Sequence, residues 1–177
     1  LSNYDVNTFS SKDKRDNNGA AAKLEYTAQQ KVLRGFKEGL TLQTAVGYEF
    51  VQDRFKPIER LRNVEFNRDW SLPFDAPPAT ENLITGSLQL HDAKKNYVKY
   101  ALTSYDRSDN FSGIRNSIEH EMTVKGWKFA DKFYITNINS RVQKGSFTRP
   151  SIEVSKMFPS LKNITVGGSF SAENDKQ

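Results

Sequence analysis

Apolar and polar residues alternate along most of this chain. Ala22, Leu24, Tyr26 and Ala28 share one parity, with Lys23, Glu25, Thr27 and Gln29 on the other. The same period returns in Leu42, Val46, Tyr48 and Phe50 against Gln43, Gly47 and Glu49, and in Val64, Phe66 and Trp70 against Glu65, Asn67 and Asp69. Ile84, Leu88 and Leu90 follow, then Val98, Tyr100 and Leu102, then Ile118, Met122 and Val124. Ile152 with Val154, and Ile164, Val166 and Phe170, close the series. Successive side chains of a strand point to opposite faces, so each run predicts a half-buried β-strand. The stretch 127–140 is less regular, with Trp127, Phe129, Phe133 and Ile135 on one face and Tyr134 and Ile138 on the other. It predicts either a bulge or cover on both sides.

The pattern predicts nine strands, at 21–33, 41–55, 60–70, 83–91, 97–107, 117–125, 127–140, 145–157 and 163–172. Most exceed the ~5–6 residues usual in globular domains and approach the ~9–11 that cross a bilayer at a tilt. The connections are expected to alternate, with longer loops at 34–40, 71–82, 108–116 and 141–144 and shorter ones at 56–59, 92–96, 126 and 158–162. That asymmetry belongs to up-and-down outer-membrane barrels. Pro57, Pro73, Pro77, Pro78 and Pro159 fall at the connections, whereas Pro150 sits inside a strand and predicts an edge or a bulge there. Residues 1–19 read as a polar loop, with a short strand at Tyr4–Phe9, and 20–177 as one antiparallel barrel or sheet segment. Single-chain bacterial barrels mostly have even strand counts, so either Tyr4–Phe9 supplies a tenth strand or others lie outside the chain.

Composition narrows the class. Mean hydropathy is −0.71 and 27% of residues are charged, and no run approaches the ~20 apolar residues of a spanning helix, which excludes a helical membrane protein and leaves a membrane barrel open. The chain has no cysteine, so disulfides, thiol catalysis and thiolate metal sites are excluded together. A net charge of +5 reads as a solvated surface able to meet anions. The opening on Leu1, with no apolar leader, reads as a mature or excised piece of a longer polypeptide.

Candidate chemistry is sparse. His91 and His120 lie on different predicted strands with no third ligand, so no metal is expected. Glu119 and Glu121 share a face at a separation a glycosidase could use, but a solvated strand face accounts for them equally well. No nucleophile elbow and no phosphate loop is present, so neither catalytic residues nor a cofactor are predicted, and the chain reads as non-enzymatic. Lys99 faces away from Tyr100, which spoils a base-stacking platform, and no nucleic-acid partner is expected. Aromatics near the predicted strand ends, Trp70, Trp127, Tyr97 and Tyr105 above all, with Phe74, Phe111, Phe147 and Phe158, fit the lipid interface.

The segments RLRNVEFNRDW at 60–70 and the SLPFDAPPATENL that follows resemble large, poorly characterised outer-membrane proteins of the Bacteroidota. GSLQLHDAKKNYVKYAL, NFSGIRN and KGSFTRPSIEVSK extend the likeness over most of residues 20–175. The resemblance implies a position in the barrel-like part of a longer polypeptide in the outer membrane of a Gram-negative bacterium. The expected partners are membrane lipid, other envelope proteins and further strands of the same polypeptide, and the role structural, transport or secretion-related. The alternative is a soluble β-sandwich or open barrel binding glycan, lipid or a partner protein.

Overall fold

The computed structural model describes residues 2–3, 19–33, 39–55, 62, 64–73, 76–141, 144–159 and 164–176. Among these residues it is an antiparallel up-and-down meander in one sheet that does not close on itself. In chain order the elements are β1 (Ser2–Asn3), β2 (Gly19–Leu33), β3 (Leu40–Val51), α1 (Val64–Asp69), β4 (Glu81–His91) and β5 (Tyr97–Arg107). They continue with β6 (Phe111–Val124), β7 (Trp127–Asn139), β8 (Lys144–Phe158), β9 (Ile164–Ser171) and β10 (Asn174–Lys176). Each strand from β1 to β8 pairs with the next, and both β9 and β10 pair with β8.

The turns follow from local backbone chemistry. Lys125 (φ 49°) and Gly126 (φ 79°) both take the left-handed region, the conformation of a two-residue type I′ hairpin matched to strand twist. At 108–110 the third residue, Asn110, has φ 66°, as three-residue hairpins require. Between β4 and β5, Asp92 Oδ1 accepts from the amides of Lys94 (2.8 Å) and Asn96 (2.9 Å), while Asn96 Nδ2 donates to Oδ2 at 2.7 Å. These bonds outweigh the opposing effect of desolvation and hold the Asp92 carboxyl below its ordinary range.

Two expectations are corrected. Residues 64–69 form a helix rather than part of a strand. The connections do not alternate in length: 108–110 and 140–143 are as tight as those at the opposite end, and 52–80 alone is long. The irregular stretch 127–139 keeps its register against both neighbours, so it is not bulged, and it is not covered on both sides either: Ile138 is buried on one face while Trp127 and Phe133 stay exposed on the other. The strand expected at Tyr4–Phe9 lies outside the described residues.

Pro150 lies within β8, opposite Phe133 of β7. Its carbonyl accepts from Ala172 N at 3.1 Å, and in an antiparallel pair a residue's N–H would point the same way. The missing donor therefore faces the chain between β9 and β10. The pairs Ser151↔Ser171 and Thr148↔Asn174 continue one register across the gap, so β9 and β10 are one strand interrupted opposite the proline. Replacing Pro150→Val supplies the donor. Amide hydrogen exchange around 172–173 is expected to slow severalfold, and an unchanged rate would show that the proline does not cause the break.

Candidate functional site

Registers place Lys23, Glu49, Glu81, Arg107, Arg115, Tyr134 and Arg149 on one face of the sheet and Leu24, Tyr48, Ile84, Ile114 and Phe133 on the other. The described residues of the connection, 62, 64–73 and 76–80, fold onto the first, polar face. Its helix ends in a Schellman cap: Leu72 N donates to Asn67 O at 2.8 Å, Ser71 N to Arg68 O at 3.0 Å, and Ser71 takes φ 50°. Pro73 follows, where a helix cannot resume.

The cap aims Trp70 at the sheet. Trp70 (1% exposed) and Tyr105 (0%) form a buried cluster with Phe111, Ile138 and Phe147, and Phe66, Leu72 and Leu83 pack around it. Phe66 meets Tyr105 edge-on at 5.1 Å, and Trp70 lies 5.5 Å from the same ring. Such pairs add ~0.5–1.5 kcal/mol each beyond the area they bury. Gly113 makes the approach possible, since a Cβ there would lie 2.6 Å from Trp70 Cζ3.

Charged latches surround the cluster. Asp69 accepts from Arg115 Nη1 (3.1 Å) and Arg149 Nη1 (3.0 Å), and Arg115 Nη2 also donates to the Asp69 carbonyl at 2.8 Å. The Arg115 guanidinium stands 4.8 Å over the Trp70 ring. Arg62 pairs with Glu49 (2.7 Å) and Glu81 (3.0 Å), and Arg107 with Glu81 (3.3 Å) and Asp109 (2.9 Å) while donating to Pro77 O at 2.8 Å. One inserted segment is thus tied to β3, β4, β5, β6 and β8. Between it and the strand ends lies an open cavity of about 930 Å³, with Leu72, Phe111, Ile138 and Phe147 as apolar lining and Arg141 and Glu173 among its charged groups.

The opposite face is apolar and, among the described residues, bare, with Leu24 72% exposed and Phe170 64% exposed. Its apolar residues form a band that slants across the hydrogen-bond rows. The row beginning at Ala22 and Phe50 ends at Asn139 and Lys144, whereas the row ending at Ile152 and Phe170 begins at Gln30. From β2 to β9 the band moves by roughly seven or eight residues, which at ~3.3 Å per residue and ~4.8 Å between strands is a slant of roughly 35–40°.

The expected interface aromatics separate accordingly. Trp127 (45% exposed) lies on the apolar face beside the 125–126 turn, with Phe129 stacked at 6.3 Å and Lys156 Nζ 5.1 Å over its ring. Phe158 is on the same face. Tyr97 is half-buried on the polar face, opposite His91 and Glu121. Trp70 and Tyr105, with Phe111 and Phe147, are corrected: Trp70 reaches from the insert onto the strand-borne Tyr105, Phe111 and Phe147, and together they form a buried core between insert and sheet. Phe74 lies outside the described residues.

The weaker candidates also find places. Glu119 pairs with Lys132 (3.1 Å) and Glu121 with Lys128 (3.2 Å), so each carboxylate is matched to a lysine. His91 and His120 occupy opposite faces, and His120 Nδ1 lies 3.1 Å from Asp131 Oδ2. Among the described residues no group of three or more His, Asp or Glu could hold a metal, and no helix is long and apolar enough to cross a membrane. Sequence alternation missed the arginine latches, since it reports which face a side chain takes and not what crosses to meet it. No protein-family model, curated protein or solved structure matches the chain.

Two outcomes follow from the latches. Asp69→Ala leaves two half-buried guanidinium groups without their shared acceptor and is expected to lower unfolding stability by about 2–3 kcal/mol. A loss below ~0.5 kcal/mol would mean that Asp69 holds nothing in place. Asp109 is held below its usual 3.8, first by the Arg107 hydrogen bond, with partial desolvation opposing. A depressed folded pKa gives stability that is complete above the unfolded value and lost as pH falls through the folded one. Asp109→Asn is therefore expected to flatten the acid limb of the stability–pH curve below about pH 4 and to leave its slope near neutrality unchanged.

Proposed function

We propose that this chain is a segment of an outer-membrane β-barrel wall, non-enzymatic, with a structural, transport or secretion-related role in a Gram-negative envelope. The slanted apolar band carries the reading. Strands of outer-membrane barrels tilt by about 35–45°, so a lipid slab level with the membrane must cut their ladder rows at that angle. A band of roughly 35–40° has that slope, and it is built of side chains that no part of the described chain covers. The opposite face has what a wet lumen tolerates: matched charges, and a connection folded inward and latched to the wall. The likeness of 60–70 and the later segments to Bacteroidota outer-membrane proteins points the same way. A soluble sandwich would put its core on the apolar face, yet the buried cluster lies on the other one.

The two tryptophans provide the test, since Trp127 sits on the apolar face and Trp70 is buried between the insert and the polar face. In vesicles of brominated phosphatidylcholine, Trp127 emission is expected to be quenched and Trp70 emission spared, so that Trp127→Phe abolishes the quenchable part. The reading fails if the chain is monodisperse in plain buffer and iodide quenches Trp127 equally with and without vesicles.

A further inference from the structure

We propose that the open edge of β2 is an interaction surface for one more antiparallel strand, and that this strand is the N-terminal continuation of β1. Three observations converge on it. The first is register. Ser2 pairs with Ala20 and Asn3 with Gly19, so chain preceding Leu1 in the same ladder runs beside Ala22 and onward towards Leu33. Beyond Ala21, β2 has no other neighbour on that side among the described residues.

The second is hydrogen bonding. Ala20 O accepts from Gln52 N, so the even-numbered residues of β2 turn their backbone groups towards β3. The backbone groups of Lys23, Glu25, Thr27 and Gln29 consequently point outward, along a row that lipid cannot satisfy. The third is room. An eight-stranded barrel is already filled by its own inward side chains, whereas here the polar face also holds an insert whose helix is ~10 Å across. The eight long strands β2 to β9 are therefore too few to enclose it, and the wall must extend past an edge.

Register also dictates the strand's polarity, a step that rests on the barrel reading. The first, third and fifth residues upstream of Leu1 stand opposite Ala22, Leu24 and Tyr26 and share their apolar face. The second, fourth and sixth stand opposite Lys23, Glu25 and Thr27 and are polar. Even-numbered β2 residues form non-hydrogen-bonded pairs on this side, where opposed Cβ atoms lie close enough for a disulfide.

The experiment uses the natural polypeptide in its own envelope, in which this stretch contributes no cysteine. Leu24→Cys is combined with a cysteine at the third residue upstream of Leu1 and oxidised with copper phenanthroline. An intramolecular disulfide is expected, and none when the second cysteine is moved to the sixth upstream residue. A Leu24→Cys cross-link between two copies, no cross-link, reversed alternation upstream, or a natural chain starting at Leu1 would each overturn the proposal. Bromolipid quenching of Trp127 is read on the same samples. Quenching without a cross-link sinks this inference alone, while a cross-link without quenching sinks only the membrane reading.

Discussion

Everything in this fold depends on unbroken register. Because side chains alternate with a period of two, a slip of one residue between any pair of strands would send the next strand's lysines and glutamates into the apolar band and its leucines under the insert. From β3 to β8 the ladders run without a shift, and the one irregularity in the long strands falls between Lys31 and Leu33, at the end of β2. Tight turns contribute to this constancy. A two-residue hairpin at Lys125–Gly126 fixes the offset of β6 and β7, and the Asp92 bonds do the same for β4 and β5.

The two faces solve opposite problems. On the polar one, β3, β4, β6 and β8 bring charges that would repel or desolvate if left to themselves, and the inserted segment supplies counter-charges: Arg62 for Glu49 and Glu81, Asp69 for Arg115 and Arg149. The aromatic cluster sits inside this ring of ion pairs, where exclusion of water strengthens each of them. Among the described residues the apolar face has no such cover, and it gains nothing from water. That difference in what each face requires, rather than any single residue, gives the sheet its orientation.

Much of this was legible in the chain. Period-two alternation located every long strand to within a few residues, except that β6 begins at Phe111, earlier than its apolar residues 118–124 suggest. It failed at 60–70 for a definable reason. Val64, Phe66 and Trp70 fit a strand by parity, but Phe66 and Trp70 are also one helical turn apart, and three apolar positions cannot separate the two periods. Pro73, close behind, was the signal available for a helix end. The misplacement of Trp70 and Tyr105 at a lipid interface came from the same source: which strand ends are covered depends on where a long connection folds, and alternation carries no information on that. Asp69, Arg115 and Arg149 looked like ordinary solvated charges, because an ion pair spanning distant segments leaves no local pattern.

Gly113 ties two distant positions of the chain into one. Its missing side chain is the socket that receives the Trp70 ring, so neither position can vary freely while the other stays as it is. Among relatives of this chain, a bulkier residue at 113 should occur only where 70 has become smaller or the insert sits elsewhere, so the pair should covary. A strand glycine that looks like a tolerant position would then be among the least replaceable sites on the polar face.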